Sequence, residues 1–402
     1  MKKYLPVILL ASALLLQTNL FAQGTWNTLT NNAPDPNGGV MVLLTDGTVM
    51  ALTGTGSGGY GNTWDLLTPD SHGSYLNGTW TTLPVMEDTR LYCATQVLPD
   101  GNVYVAGAEY GTGAGTGEIY NTLTQTWAYI NGVPNGWQMY DGNSEVLYDG
   151  TVIQGCQISN TQASSGISVD NLMFHEGTNL YDSIAPCFGS HDEASWVKLP
   201  DSSILNVDML TMNSERYIPK LKQWVVDANL PINLYDNTLS EAGPGFLLPN
   251  GKVFFLGDSG YTAIYTPSGN ASMGSWKKGP LMPIVTGTQL GCPDAPGAMM
   301  PNGKILCAFS PAGTYNTPVY FYEFDYTTNT FLQVTSPTGG NTFNTQAYAT
   351  NILNLPDGTV LLSDQGDNSY YQYTPKGSPI ASGKPVINNI IPNCPDFTIT
   401  GK

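Results

Sequence analysis

Positive charge is what this 402-residue chain has least of: 14 lysines and arginines stand against 31 acids, for a formal net charge of −17. Arg90 and Arg216 are the only arginines, and His72, His175 and His191 the only histidines. A surface so poor in cations repels phosphate backbones, so nucleic acid is excluded as a partner. The six cysteines, Cys93, Cys156, Cys187, Cys292, Cys307 and Cys394, are widely spaced with no Cys-x-x-Cys, which argues against the usual zinc sites and leaves disulfides or buried thiols open. After residue 22 no apolar run is long enough to cross a membrane and no 3.6-residue apolar period is sustained.

Glycine (45) and proline (28) are plentiful. Both disfavour helix interiors and supply turns, so all-β structure is expected. Residues 1–22 read as a signal peptide: Lys2 and Lys3, then an apolar run from Leu5 to Leu16, then Ala22 before Gln23. The mature chain is expected to be secreted or periplasmic, not membrane-spanning, and a monomer.

The strongest signal is a repeat. Seven times, apolar residues flank a tight turn: Asp46-Gly47, Asp100-Gly101, Asp149-Gly150, Asp201-Ser202, Asn250-Gly251, Asn302-Gly303 and Asp357-Gly358. Successive turns lie 54, 49, 52, 49, 52 and 55 residues apart. Such dipeptides mark hairpins, and the two-residue kind wants positive φ at both positions. A second pair of strand-like segments follows each of the first six turns and ends in an aromatic: Trp80, Trp127, Tyr181, Trp224, Trp276 or Phe331. Each period therefore holds about four strands, the content of a propeller blade. The last period lacks its aromatic strand, and Gly24-Thr25-Trp26 at the other end supplies one. Residues 23–380 are thus predicted to form a seven-bladed β-propeller closed by an N-terminal strand in the last blade.

This order of strands, with Thr53-Gly54, Ala106-Gly107 and Leu256-Gly257 ending one strand and Trp the outermost, resembles kelch-type propellers, and among them the secreted proteins related to the galactose oxidase propeller. The resemblance implies a kelch fold and covers roughly residues 24–375. Residues 381–402 look like the opening strands of the immunoglobulin-like domain that follows many such propellers. The copper-radical oxidases need two Tyr and two His ligands, one Tyr directly followed by a His. No histidine here follows a tyrosine. No copper ligand carries over, and copper is not expected. A sialidase-like cluster of arginines is equally missing.

Loops that lead into the innermost strands should converge near the axis. Eight or nine residues before the turn, four consecutive blades carry an acid: Asp141, Asp192, Glu241 and Asp294, with Glu193 beside the second. Gathered carboxylates need a cation, a hydrogen-bond network or raised pKa values, and Ca2+ suits oxygen ligands. Asp141, Asp192, Glu241 and Asp294 are therefore candidate metal ligands. Together with Glu193, His191, Arg90 and Tyr140 they form a candidate binding face for a glycan or an extracellular protein. Backbone capping by each acid is the plain alternative. A carbohydrate-active enzyme at the same face is the other functional class, first a hydrolase using two of these carboxylates and, behind it, a galactose-oxidase-like oxidase. Trp137, Trp196 and Tyr348 are further aromatics near these loops.

Overall fold

The computed structural model describes residues 23–54, 59–157, 170–191, 193–208, 211–239, 241–393 and 396–401. Residues 1–22, expected to be a signal peptide, and Asp192 and Cys394 lie outside the described residues. Seven antiparallel sheets surround one axis. Blade 1 runs from its inner strand Asn37–Leu43 through Val49–Thr53 and Trp64–Thr68 to its outer strand Thr79–Thr82. Blades 2 to 5 repeat this order, with inner strands Ala94–Val97, Ser144–Val146, Trp196–Lys198 and Ala242–Leu247. Blade 6 begins at Gly297–Met299, which pairs with Ile305–Pro311. In blade 7, Thr350–Asn354, Val360–Asp364 and Tyr370–Thr374 are completed by Thr25–Thr28, with Trp26 opposite Tyr373. The N-terminal strand closes the ring.

Second strands are packed on both faces, which is why they read as near-continuous apolar runs. Val49–Thr53, Val103–Ala106 and Val253–Gly257 are buried at every position. Outer-strand aromatics join each blade to the one before. Trp127 of blade 2 stacks on Trp64 of blade 1 at 6.1 Å, and Trp80 of blade 1 packs on Tyr370 of blade 7 at 4.7 Å. Their indole N–H groups donate to carbonyls just past the preceding outer strand: Trp127 to Pro84 at 2.8 Å, Trp80 to Asn31 at 3.1 Å, and Trp26 to Thr335 at 2.7 Å.

The hairpins differ in kind from the two-residue turns expected. Only the glycine has positive φ, from 77° at Gly251 to 89° at Gly101, and the residue before it does not. Gly47 N–H donates to Leu44 O, while Leu44 N–H donates to Thr48 O. This is a three-residue loop, a type I turn closed by a left-handed residue. The Asp or Asn accepts the N–H two residues on, as Asp46 does from Thr48 at 2.9 Å. That side-chain bond explains the residue choice. Blade 4 has Ser202 at the left-handed position, with φ 68°.

Past the ring, Ile380 N–H donates to Pro301 O, and Ile387–Asn393 pairs with Asp396–Gly401 as a two-stranded hairpin. Ile387, Phe397 and Ile399 on it are exposed. Cys93, Cys292 and Cys307 are free thiols. No helix among the described residues is long and apolar enough to cross a membrane.

Candidate functional site

A bowl of about 800 Å³ opens at the axis. Asp141, Glu193 and Asp294 each stand three residues before their inner strand, and Glu241 immediately before its own. All four line the bowl. The repeated offset makes Glu193 the counterpart of Asp141 and Asp294. Glu193 and Asp294 hold φ of 53° and 46°, a conformation that costs a side-chain-bearing residue roughly 1 kcal/mol or more. Strain of this kind gathers at functional loops.

Glu109 joins the acids from another direction, in the loop between second and third strands of blade 2. Tyr110, Tyr315 and Gln365 come from loops of the same kind. Two tyrosine pairs flank the acids edge to face: Tyr92 with Tyr110 at 6.1 Å and Tyr315 with Tyr348 at 5.2 Å. The Tyr315 hydroxyl donates to Glu241 Oε1, and the Tyr92 hydroxyl to Gln365 Oε1 at 3.3 Å.

Among the described residues, no lysine, arginine or histidine lines the bowl. Burial and then the charges of Asp294 and Asp141 push the Glu193 carboxyl far above the ordinary range. Asp294 is raised likewise, by burial and then Glu241. Its side chain is exposed to the bowl, which weakens the effect of burial and leaves the like charges to set the direction. Beneath them Asp258 is raised to about 7 by burial, against a Gly313 N–H that holds it down. The shifts of Glu193 and Asp294 favour the protonated carboxyl, a form that donates as well as accepts hydrogen bonds.

Three residues expected at this face lie elsewhere. Arg90 is fully buried in blade 2, where its guanidinium meets Glu118 at 2.9 Å and donates to Gly107 O and Gly113 O. His191 is buried in blade 4 against Glu215 at 2.9 Å, between the rings of Trp196 and Trp224. A long or cationic side chain next to an axial loop was drawn inward because a glutamate on the third strand needs a partner there. Tyr140 is half-buried, with φ 45°, and does not border the bowl. Of the other aromatics near these loops only Tyr348 borders it. Arg216 is also buried, bonded to Asp227 within its own blade.

No family model matches the chain, and no curated protein matches it. Solved structures do. A fungal alcohol oxidase of the AA5 family, in complex with copper, is similar with a TM-score of 0.66 at 14% identity, over 94% of this chain and 84% of that one. A streptogramin B lyase gives 0.57 at 11% identity, over 88% of this chain and 98% of the other. An extracellular domain of a hybrid two-component system from B. thetaiotaomicron gives 0.58 at 13% identity, over 88% of this chain and 40% of that one. At these identities the likeness shows the propeller fold alone. The bowl does not fit copper. Among the described residues its donors are carboxylates, phenols and amides with no imidazole or thiolate, a set for hard cations.

Proposed function

We propose that this chain is an exported β-propeller of kelch type that binds a glycan in its central bowl. The observation that carries the reading is the convergence of five carboxyl groups and four tyrosines, from six of the seven blades, on one cavity of about 800 Å³. Tyrosine faces pack on sugar rings, and carboxyls with Asn351 and Gln365 address hydroxyls. A cavity of this size takes a ligand of a few sugar units. The bowl's negative charge disfavours acidic sugars and favours neutral or amino sugars. The N-terminal segment supports export, and an extracellular domain with the same fold agrees with it.

The test is a glycan array probed with wild-type protein and with Tyr315→Ala and Tyr348→Ala variants of unchanged melting behaviour. Binding to a defined glycan class, lost in both variants, is expected. Equal binding by both would place the ligand on another face.

A second reading has its own support. A carboxyl that keeps its proton at neutral pH beside one that accepts hydrogen bonds is the acid–base pairing of a glycoside hydrolase. Release of reducing ends from any bound glycan would favour it.

A further inference from the structure

At the opposite end of the strands from the bowl lies a second cavity, of about 490 Å³. Turns between first and second strands and turns between third and fourth strands line it, whereas the bowl is lined from the loops at the other end. Two departures from the repeat fall on this cavity. The residue before the turn Asp or Asn is Pro in five blades and Thr in blade 1, but Tyr148 in blade 3. The residue after it is Gly in six blades, but Ser202 in blade 4. A side chain at Gly101, Gly150 or Gly358 would meet Thr45, Pro99 or Pro301, the residue before the turn of the preceding blade, at 3.2–3.8 Å. The same direction brings Ser202 to Tyr148, and both border the cavity.

Both departures work against the turn. Proline and glycine suit these two places, Ser202 is held at φ 68°, and Tyr148 is 71% exposed. Strain and exposed aromatic surface kept together are the marks of a binding site. The floor is built as well. The buried guanidinium of Arg216 donates to Asn270 O at 3.1 Å and to Ser272 O at 2.6 Å, and lies 3.6 Å from Asp201 Oδ2, which fixes the turns of blades 4 and 5 around the cavity.

Charge sets this cavity apart from the bowl. Lys220 lines it, and Lys252 lines a smaller hollow that meets it at Asp201 and Gly269. Among the described residues neither lysine is in an ion pair, whereas Lys198 and Lys304 are. Asp201, the one acid of the described lining, is answered by Arg216 and by the N–H and hydroxyl of Ser203.

We infer that this cavity binds an acidic sugar, a uronic acid, with its ring on Tyr148, a hydroxyl at Ser202 and its carboxylate at Lys220. A second unit of an oligouronate would extend toward Lys252. The charged groups of the described bowl lining are all acids, so the bowl selects against the same ligand. The inference does not rest on what the bowl binds.

The experiment is an NMR titration of full-length protein, labelled in its Tyr and Lys side chains, with trisaccharides of galacturonate, glucuronate and mannuronate. A galactose trisaccharide is the uncharged match. At least one uronate is expected to shift the Tyr148 and Lys220 signals and to bind more weakly as salt is raised. Tyr148→Ala and Lys220→Gln should each weaken that binding about tenfold, and Ser202→Gly should weaken it while raising the melting temperature. Tyr315→Ala, in the bowl, should not change it, so failure of one site is seen apart from the other. No shift at Tyr148 with any uronate at millimolar concentration, an equal response to the galactose trisaccharide, or unchanged binding by Tyr148→Ala overturns the inference.

Discussion

His191 meets Glu215 in blade 4 at the place where Arg90 meets Glu118 in blade 2, each at 2.9 Å. Both glutamates are the second residue of a third strand. Both also accept two loop N–H groups, from Glu87 and Asp88 in one blade and from Phe188 and Gly189 in the other. The cation follows the first of those donors by three residues in each. An imidazolium thus does in blade 4 what a guanidinium does in blade 2.

This equivalence sets a pH dependence. Burial pulls the His191 pKa down, but Cys187 and Glu215 outweigh it and raise it to about 10. The folded value lies above the unfolded one of about 6.5, so the pair's contribution is complete below that pH and is lost as pH rises through the folded pKa. Urea midpoints of the wild type are expected to fall over that interval. His191→Gln should flatten the fall, and should cost about 3–5 kcal/mol at low pH by leaving Glu215 unpaired. An unchanged slope in the variant would contradict the assignment.

Asp258 works in the same direction for another reason. Burial raises its carboxyl to about 7, so the folded state holds a proton that the unfolded chain releases. Its folded form therefore loses stability as pH rises from the ordinary carboxylate range to neutrality. Asp258→Asn keeps an oxygen for the Gly313 N–H and carries no charge to bury. It should raise the melting temperature at pH above about 7 and leave it nearly unchanged in mild acid. A variant that is destabilised equally at both would show that the carboxylate itself is needed.

Ser202 is the one residue with a side chain at the left-handed position of the seven hairpins. Ser202→Gly should stabilise the protein by about 1 kcal/mol, the strain removed less the chain entropy that glycine adds. The reverse change, Gly150→Ser, should cost a similar amount. Denaturant midpoints of the two variants check both signs.

Trp26 closes the ring. It packs on Phe321 at 5.2 Å and on Tyr373 at 4.8 Å, and bonds Thr335. Trp26→Ala is expected to cost about 3 kcal/mol or more. A change confined to surface values, within about 0.5 kcal/mol, would mean that the N-terminal strand is not needed to hold the last blade.

The fold was readable because its signals are local. Each Asp-Gly or Asn-Gly turn carries its own hydrogen-bond logic, and each outer-strand aromatic sits at a fixed place after it. Asp141, Glu241 and Asp294 were readable for the same reason, since their offset from the turn repeats. Glu109, Tyr110 and Tyr315 were not, because loops between second and third strands vary in length and give no offset to count. Looking for acids and tyrosines just past the glycine that ends a second strand, as in Ala106-Gly107-Ala108-Glu109, would have found the first two. Arg90 and His191 were misplaced because nothing in their own loops announces Glu118 and Glu215, which lie 28 and 24 residues further on. A cation near an axial loop can face the bowl or the sheet, and only the partner decides.

Crowding of the bowl's carboxyl groups raises the pKa values of Glu193 and Asp294. The most direct test is a pH titration of the Glu and Asp side-chain carboxyls by NMR on selectively labelled, cation-free protein, with Glu241→Gln alongside. Glu193 should titrate above neutrality and Asp294 above the ordinary carboxylate range in the wild type, and both midpoints should drop in the variant, which removes a neighbouring charge. Titration of both residues in the ordinary carboxylate range, unmoved by the substitution, would contradict it.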